Sequence, residues 1–139
     1  MIERRYIRHP TSMPISYKLQ GQERRHHDRV RNIGEGGLCF ATAVVIDPGT
    51  AIRLSIPLFA QQFEVDATVA WCQPVPDAYL VGVQFVSPQE RICVRMVEQL
   101  CYIEDYRLQV GRDEGRALSS EQAAEEWLER FSARFPPLA

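Results

Sequence analysis

No run of apolar residues in this 139-residue chain approaches the roughly 20 that a helix needs to cross a bilayer. The opening Met1-Ile2-Glu3-Arg4-Arg5-Tyr6 also lacks the apolar stretch of a secretory signal. The expectation is a cytoplasmic protein with no membrane insertion. Cysteine occurs four times, at Cys39, Cys72, Cys93 and Cys101, without any C-x-x-C spacing and each time inside an apolar segment. Such thiols read as small hydrophobes, not as a disulfide framework. Histidine is scarce. His26-His27-Asp28 invites a metal, but strand neighbours point to opposite faces and no second pair completes a site, so it reads as a solvated polar strand. His9 is alone beside Pro10, no nucleophile stands near a base, and G-x-S-x-G, H-E-x-x-H and Walker-type patterns are missing. The sequence therefore predicts no catalysis and no cofactor or metal.

What is there begins with an ordinary globular composition, 45% hydrophobic and 24% charged, in a length that suits one domain with a core of its own. The net charge of −2 hides an asymmetry. Residues 1–31 hold eight Arg or Lys against three acids, and the rest holds eight against fifteen. The N-terminal part is thus fitted to meet an anion. A small phosphate-bearing ligand fits better than nucleic acid, which the acidic remainder would repel.

Six strand patterns follow a polar, basic arm of about ten residues: 14–19, the polar stretch 23–31, 38–41, 51–58, 63–71 and 79–86. Asp47-Pro48-Gly49 and Pro74-Val75-Pro76-Asp77 supply turn chemistry between them. In 63–71 the apolar set is Phe63, Val65, Ala67, Val69 and Trp71, one residue in two. A capping box with proline at the first helical position, Ser87-Pro88-Gln89-Glu90, predicts a helix that ends before Gly111. Ser119 with Gln122 starts a second helix, whose apolar face is Ala124, Trp127, Leu128 and Phe131 and whose acids Glu121, Glu125, Glu126 and Glu129 read as a solvated face. The fold expected is mainly β, an antiparallel barrel or sandwich of six short strands followed by two helices.

Two segments are not explained by packing. Arg4-Arg5-Tyr6-Ile7-Arg8 places three guanidiniums within five residues. Their planar forks suit phosphate oxygens and the O6/N7 edge of guanine, and their flat faces stack on purines. In an extended arm Arg4 and Arg8 share one side and Arg5 takes the other. The alternative is a solvated tail. Asn32-Ile33-Gly34-Glu35-Gly36-Gly37 lies between two strand patterns. Its glycines allow positive φ and close approach to backbone N–H groups, and Asn32 both donates and accepts. The alternative is a hairpin turn whose glycines serve geometry alone. Trp71 reads either as a stacking surface for a purine or as a core or rim aromatic. Trp127, Phe131 and Phe135 read as a helix-packing or dimer face.

Taken together, the R-x-x-x-R arm (Arg4 to Arg8) and the (Asp/Asn)-x-Ser-x-x-Gly turn (Asn32 to Gly37) resemble the PilZ domain family, as do Pro14-Ile15-Ser16-Tyr17, Val69-Ala70-Trp71 and Leu80-Val81-Gly82-Val83-Gln84-Phe85. The resemblance covers about residues 3–100. It implies a six-stranded antiparallel PilZ-type β-barrel over residues 1–100, with a helical extension over 101–139. It also implies a bacterial receptor or adaptor for cyclic di-GMP that changes conformation on binding and regulates a protein partner in motility, biofilm or virulence signalling. Under it, Arg4, Arg5 and Arg8 hold guanines and phosphates, Asn32 meets a guanine edge, and Gly34, Gly36 and Gly37 shape the turn, with Trp71 as an added stacking surface. The departure is Gly34, where the family pattern has Ser. It favours an alternative, a degenerate adaptor that binds protein without nucleotide. A nucleic-acid-binding barrel is the other reading weighed. A homodimer is compatible with the sequence, which names neither the partner nor the oligomeric state.

Overall fold

The computed structural model describes residues 9–59 and 61–130. A two-residue strand β1 (His9–Pro10) precedes β2 (Pro14–Leu19), β3 (Arg25–Ile33), β4 (Gly37–Thr42), β5 (Ala51–Leu58), β6 (Gln61–Val75) and β7 (Ala78–Phe85). Two helices follow, α1 (Glu90–Glu114) and α2 (Ser120–Arg130). Every strand pairing is antiparallel: β3 with β2, β2 with β5, β5 with β6, β6 with β7, β7 with β4, and β4 back to β3. That last pairing closes a six-stranded barrel, which removes the free sheet edges that invite aggregation. The mainly β barrel with two C-terminal helices is the architecture the sequence predicts.

Alternation drives closure. Ile15, Tyr17 and Leu19 of β2, Ile52, Leu54, Ile56 and Leu58 of β5, Val65, Ala67 and Val69 of β6, and Val81, Val83 and Phe85 of β7 are all buried. Burying each large aliphatic side chain stabilises the barrel by about 1.5–3 kcal/mol before entropy is counted. The polar strand β3 departs from the expectation of full solvation. His27 is exposed, but His26 and Asp28 are half-buried because they share the inward phase with Tyr17. The His26 ring stacks on Tyr17 at 5.1 Å. The Tyr17 hydroxyl donates to Asp28 Oδ2 at 2.6 Å and lies 3.2 Å from Thr42 Oγ1. Burial, then the hydrogen bond to the Asp28 carboxylate, pushes the phenol well above its ordinary value.

The helices seal one end through a saturated polar contact. Gln99 of α1 is fully buried. Its Oε1 accepts the N–H of Phe59, a residue at φ 54, and its Nε2 donates to the Pro57 carbonyl at 3.1 Å. The sharp β5–β6 connection thus has its backbone satisfied by a side chain from the helix. Phe59 then meets Tyr102 of α1 and Trp127 of α2 edge-on, at 6.2 and 5.6 Å, with the Arg95 guanidinium 4.0 Å over its ring.

Several boundaries differ from the sequence expectation. Helix α1 begins at Glu90 with Gln89 as its N-cap and no side-chain cap, so Ser87 and Pro88 form no capping box. The cause is the Gln89 N–H, which donates to the Glu35 carbonyl at 2.8 Å and holds that residue outside the helix. Gly111 does not end α1. The helix runs to Glu114 and stops at Gly115, which takes the left-handed conformation at φ 68. The capping box at α2 forms as expected: Gln122 N donates to Ser119 Oγ at 3.0 Å and Ser119 N to Gln122 Oε1 at 2.9 Å. The acids of α2 are not a plain solvated face. Arg29 of β3 pairs with Glu125 and, at 3.7 Å, with Glu121. Glu126 accepts from Tyr106 at 2.7 Å and from Arg116 at 2.9 Å, and that guanidinium holds its carboxyl below the usual range. Cys101 is exposed on α1, unlike Cys39 and Cys93, because it falls off the buried stripe. Phe131 and Phe135 lie outside the described residues, as do Arg4, Arg5 and Arg8.

Candidate functional site

Two irregularities in an otherwise regular wall build the site. The pairing of β3 with β4 shifts register between Val30 and Asn32, which makes Arg31 an extra residue. The pairing of β6 with β7 shifts between Val69 and Trp71, which makes Ala70 another. A bulge re-aims every side chain beyond it. Val30 and Val69 point into the core, and two residues later Asn32 and Trp71 would also point inward on an unbroken strand. The bulges turn both outward instead: Asn32 is half-buried and Trp71 is 38% exposed. The sequence alternation that put Trp71 in phase with Val69 is therefore corrected. Trp71 is a wall residue in the middle of β6 rather than a core aromatic at the end of a strand.

The register then places these side chains in one row. Asn32 faces Cys39 of β4, Cys39 faces Gly82 of β7, and Gly82 faces Trp71 of β6. Directly opposed residues of antiparallel strands share a face, and strand spacing makes the row roughly 14 Å long. Its middle is low because its residues are small. A Cβ on Gly82 would stand 2.2 to 2.5 Å from the Trp71 indole, so the ring lies directly on the glycine. The row is a shallow track, with an amide at one end and a half-exposed indole at the other.

The turn at the amide end is narrower than the sequence suggests. Asn32 and Ile33 belong to β3 and Gly37 to β4, which leaves Gly34-Glu35-Gly36 as the connection. Its backbone is fastened on three sides. Gly34 N–H donates to Gly37 O, Phe85 N–H to Gly36 O, and Gln89 N–H to Glu35 O, at 2.9, 2.9 and 2.8 Å. Gly37 is required for close approach, since a Cβ there would meet the Val83 carbonyl oxygen at 2.0 Å. The turn is thus fixed by the end of β7 and the start of α1 before any ligand arrives.

The N-terminal chain enters at the same place. His9 pairs with Ile33 and Pro10 with Asn32, on the edge of β3 opposite to β4. Thr11 N–H continues the ladder to Arg31 O at 3.0 Å. The residue that follows the arginine segment is therefore a β partner of the strand end that carries Asn32. Among the described residues no group of three or more His, Cys, Asp or Glu could hold a metal, and no helix is long and apolar enough to cross a membrane. Among the described residues, what the sequence missed is the pair of bulges. A β-branched or aromatic residue in phase with a core set gives no hint of a one-residue insertion.

The comparisons with known proteins bear on the family and the fold. The PilZ domain model matches residues 2–102. No curated protein sequence matches the chain. Among solved structures, the chain resembles the PilZ domain of YcgR from Escherichia coli, solved with c-di-GMP, at a TM-score of 0.61 and 16% identity, covering 78% of this chain and 98% of that one. It resembles the inhibitor of motility MotI/DgrA from Bacillus subtilis at 0.57 and 19%, covering 69% of this chain and 52% of that one. For the K. pneumonia MrkH–c-di-GMP complex the values are 0.54 and 12%, with 82% and 55% covered. The chain thus spans about half the length of the MotI and MrkH chains and nearly all of the YcgR domain. At these identities the likeness shows the fold, and the family model covers most of the chain: the protein belongs to the PilZ domain family, whose members act as binding and adaptor modules.

Proposed function

We propose that the chain binds cyclic di-GMP across the track from Asn32 to Trp71 and acts as an adaptor that passes this occupancy to a protein partner. The single observation that carries the reading is the pairing of His9–Pro10 with Asn32–Ile33, which brings the root of the arginine segment to the amide end of the track. Arg8 precedes His9 directly, and Arg4 lies within about five residues of it, a reach of at most about 18 Å. Arg4 and Arg8 are assigned to guanine edges and phosphates and Arg5 to a supporting role, since forked donors satisfy both charge and shape. Asn32 reads a guanine edge. The fastened turn Gly34-Glu35-Gly36 with Gly37 gives the ligand a wall that needs no reordering, and Trp71 offers an indole face to a base. The likeness of fold to YcgR and MrkH, both solved with c-di-GMP, supports the choice of ligand.

No catalytic role is assigned. The residues of the track offer donors, acceptors and a stacking surface but no nucleophile paired with a base. Closure of the leader over the ligand orders residues at an entropic cost, and the charge-assisted bonds must exceed it. Titration calorimetry with cyclic di-GMP in physiological salt tests the reading. Saturable binding is expected, with Arg4→Ala and Arg8→Ala each weakening it roughly tenfold or more. Unchanged affinity in both variants removes the arginines from the site. Gly34, where the family pattern carries Ser, favours a second reading in which the chain is a nucleotide-free adaptor. Absence of any heat of binding at high micromolar nucleotide decides for that one.

A further inference from the structure

The wall across the barrel from the track has a cleft of its own. In the closed circuit of strands β2 and β5 stand opposite β7 and β4. On their outer surface His27 of β3 faces Ser16 of β2, Ser16 faces Ser55 of β5, and Ser55 faces Glu64 of β6. The two serines keep the middle low, and a cleft of about 620 Å³ lies over it. Its floor is rigid. Ser16 Oγ accepts from Arg25 Nη1 at 2.9 Å, and Ser55 Oγ donates to Gln62 Oε1 at 3.0 Å. Toward the helices the lining turns apolar, with Pro14, Pro57, Phe59 and Leu128 of α2. That helix lies beyond the span matched by the PilZ model.

The side away from the helices carries uncompensated charge. Two residues along each strand, Lys18 faces both Arg25 of β3 and Arg53 of β5, so three cations stand in line across three strands. Like charges directly opposed destabilise a sheet. Arg53 is bridged to Glu64 and Asp66 at 3.4 and 3.0 Å. Among the described residues no carboxylate pairs with Lys18 or Arg25, although Lys18 is half-buried. The free chain thus bears a repulsion that an acidic partner would relieve.

We propose that this cleft is where the protein partner docks, and that the partner presents an extended segment with carboxylates beside an apolar side chain. The inference rests on the adaptor reading and not on nucleotide binding. The carboxylates meet Lys18 and Arg25, and the apolar side chain enters between Pro57 and Leu128. Glu64, at the β6 end of the row, repels acid and so sets the acidic part of the segment toward β3. Docking here leaves the track free, since the two lie on opposite walls.

A random peptide library displayed on phage, selected on the full chain and followed by resynthesis of the hits, tests this. Enriched peptides should carry Asp or Glu close to Leu, Ile or Phe. Arg25→Glu should weaken them about tenfold or more, and Leu128→Ala about fivefold. Lys18→Glu should weaken them as Arg25→Glu does and also raise the urea midpoint of the free chain, because it ends the line of opposed cations. A midpoint that stays or falls removes the repulsion on which the proposal stands. Hits without the acidic and apolar pattern, or hits indifferent to Arg25→Glu, overturn it. So does a single-stranded oligonucleotide that binds as tightly as the peptides and ignores Leu128→Ala, since the cations would then be a general anion patch. Cyclic di-GMP titrations of the same variants separate this surface from the track. Peptide binding without nucleotide binding leaves the docking surface standing and removes the nucleotide. Nucleotide binding with no peptide selected leaves the track standing and overturns the docking surface.

Discussion

Strands β5 and β6 lie side by side in one wall and teach different things. β5 alternates without a break, with Ile52, Leu54, Ile56 and Leu58 all buried and Arg53 on the outside bridging Glu64 and Asp66 of its neighbour. β6 keeps the same beat through Val65, Ala67 and Val69, and loses it at Ala70. The regular strand supplies core. The irregular one supplies a surface, because one inserted residue sets Trp71 on the outside against Gly82. β3 repeats the pattern at Arg31 and sets Asn32 outside. The track is built by two departures from the rule that builds the barrel.

The largest expected effect lies on the regular strand. Leu54 is completely buried, so Leu54→Ala removes its transfer energy and leaves a cavity, at about 2–5 kcal/mol. Urea unfolding should show that loss, while cyclic di-GMP affinity of the folded fraction stays within about twofold of wild type. Affinity falling in step with stability would break the division between core strand and site strand. On the irregular strand the sizes reverse. Gly82→Ala puts a methyl into the Trp71 ring, which must swing off the wall. Stability should change little, whereas nucleotide affinity should drop about tenfold, roughly 1.4 kcal/mol. Trp71 is the half-exposed one of the two tryptophans, Trp127 being buried. Its emission therefore reports both the swing of the ring and the stacking of a base. Unaltered emission and affinity in Gly82→Ala would detach Trp71 from the site.

This contrast also explains what the sequence could and could not tell. The bounds of 51–58 coincide with β5, and the turn at Asp47-Pro48-Gly49 is marked by Gly49 at φ 91, because alternation and turn residues act through local sterics that composition displays. The succession of the six strands along the chain and the capping box at Ser119 were legible for the same reason. A bulge has no such mark. Ala70 differs from no other small residue, and only pairing with β7 makes it the surplus one. Likewise the end of α1 was assigned to Gly111 by residue type, but a helix interior accepts a glycine at a cost of about 1 kcal/mol, and the turn that carries the buried Val110 continues to Gly115, the glycine in the left-handed conformation. Glu121 and Glu125 of α2 looked solvated because their partner, Arg29, is 96 residues from Glu125.

Tyr17 sharpens the comparison from inside the barrel, where β2 is regular but ends in polar company. Tyr17→Phe removes the hydrogen bond to Asp28 and should cost about 1 kcal/mol at neutral pH. Its pH signature is more specific. In the unfolded chain the phenol releases its proton near its ordinary 10.0, while in the folded protein burial and Asp28 hold it on to higher pH. Below pH 10 both states are neutral at this residue and stability is flat. As pH rises past 10 the unfolded state ionises first, so the wild type loses stability with pH. Chemical denaturation at pH 9 and pH 11 should show a steeper loss for the wild type than for Tyr17→Phe. Equal slopes would mean that Tyr17 ionises as readily folded as unfolded, contrary to its burial.

The smallest effect is expected at Gly34, and it bears on which side of the comparison the turn belongs to. The turn is fastened like core, through Gly34 N–H to Gly37 O and the carbonyls of Glu35 and Gly36, yet it borders the track. If it serves the ligand, Gly34→Ser adds a hydroxyl where the family pattern has one and contributes one more hydrogen bond, about 0.5–1.5 kcal/mol net. Cyclic di-GMP affinity should then hold or tighten by up to about tenfold, with unfolding unchanged because the backbone bonds stay in place. If the turn is core only, the buried position must make room for a side chain, and stability should fall while affinity does not improve. Calorimetry and urea unfolding on this one variant separate the two outcomes, since each moves a different quantity.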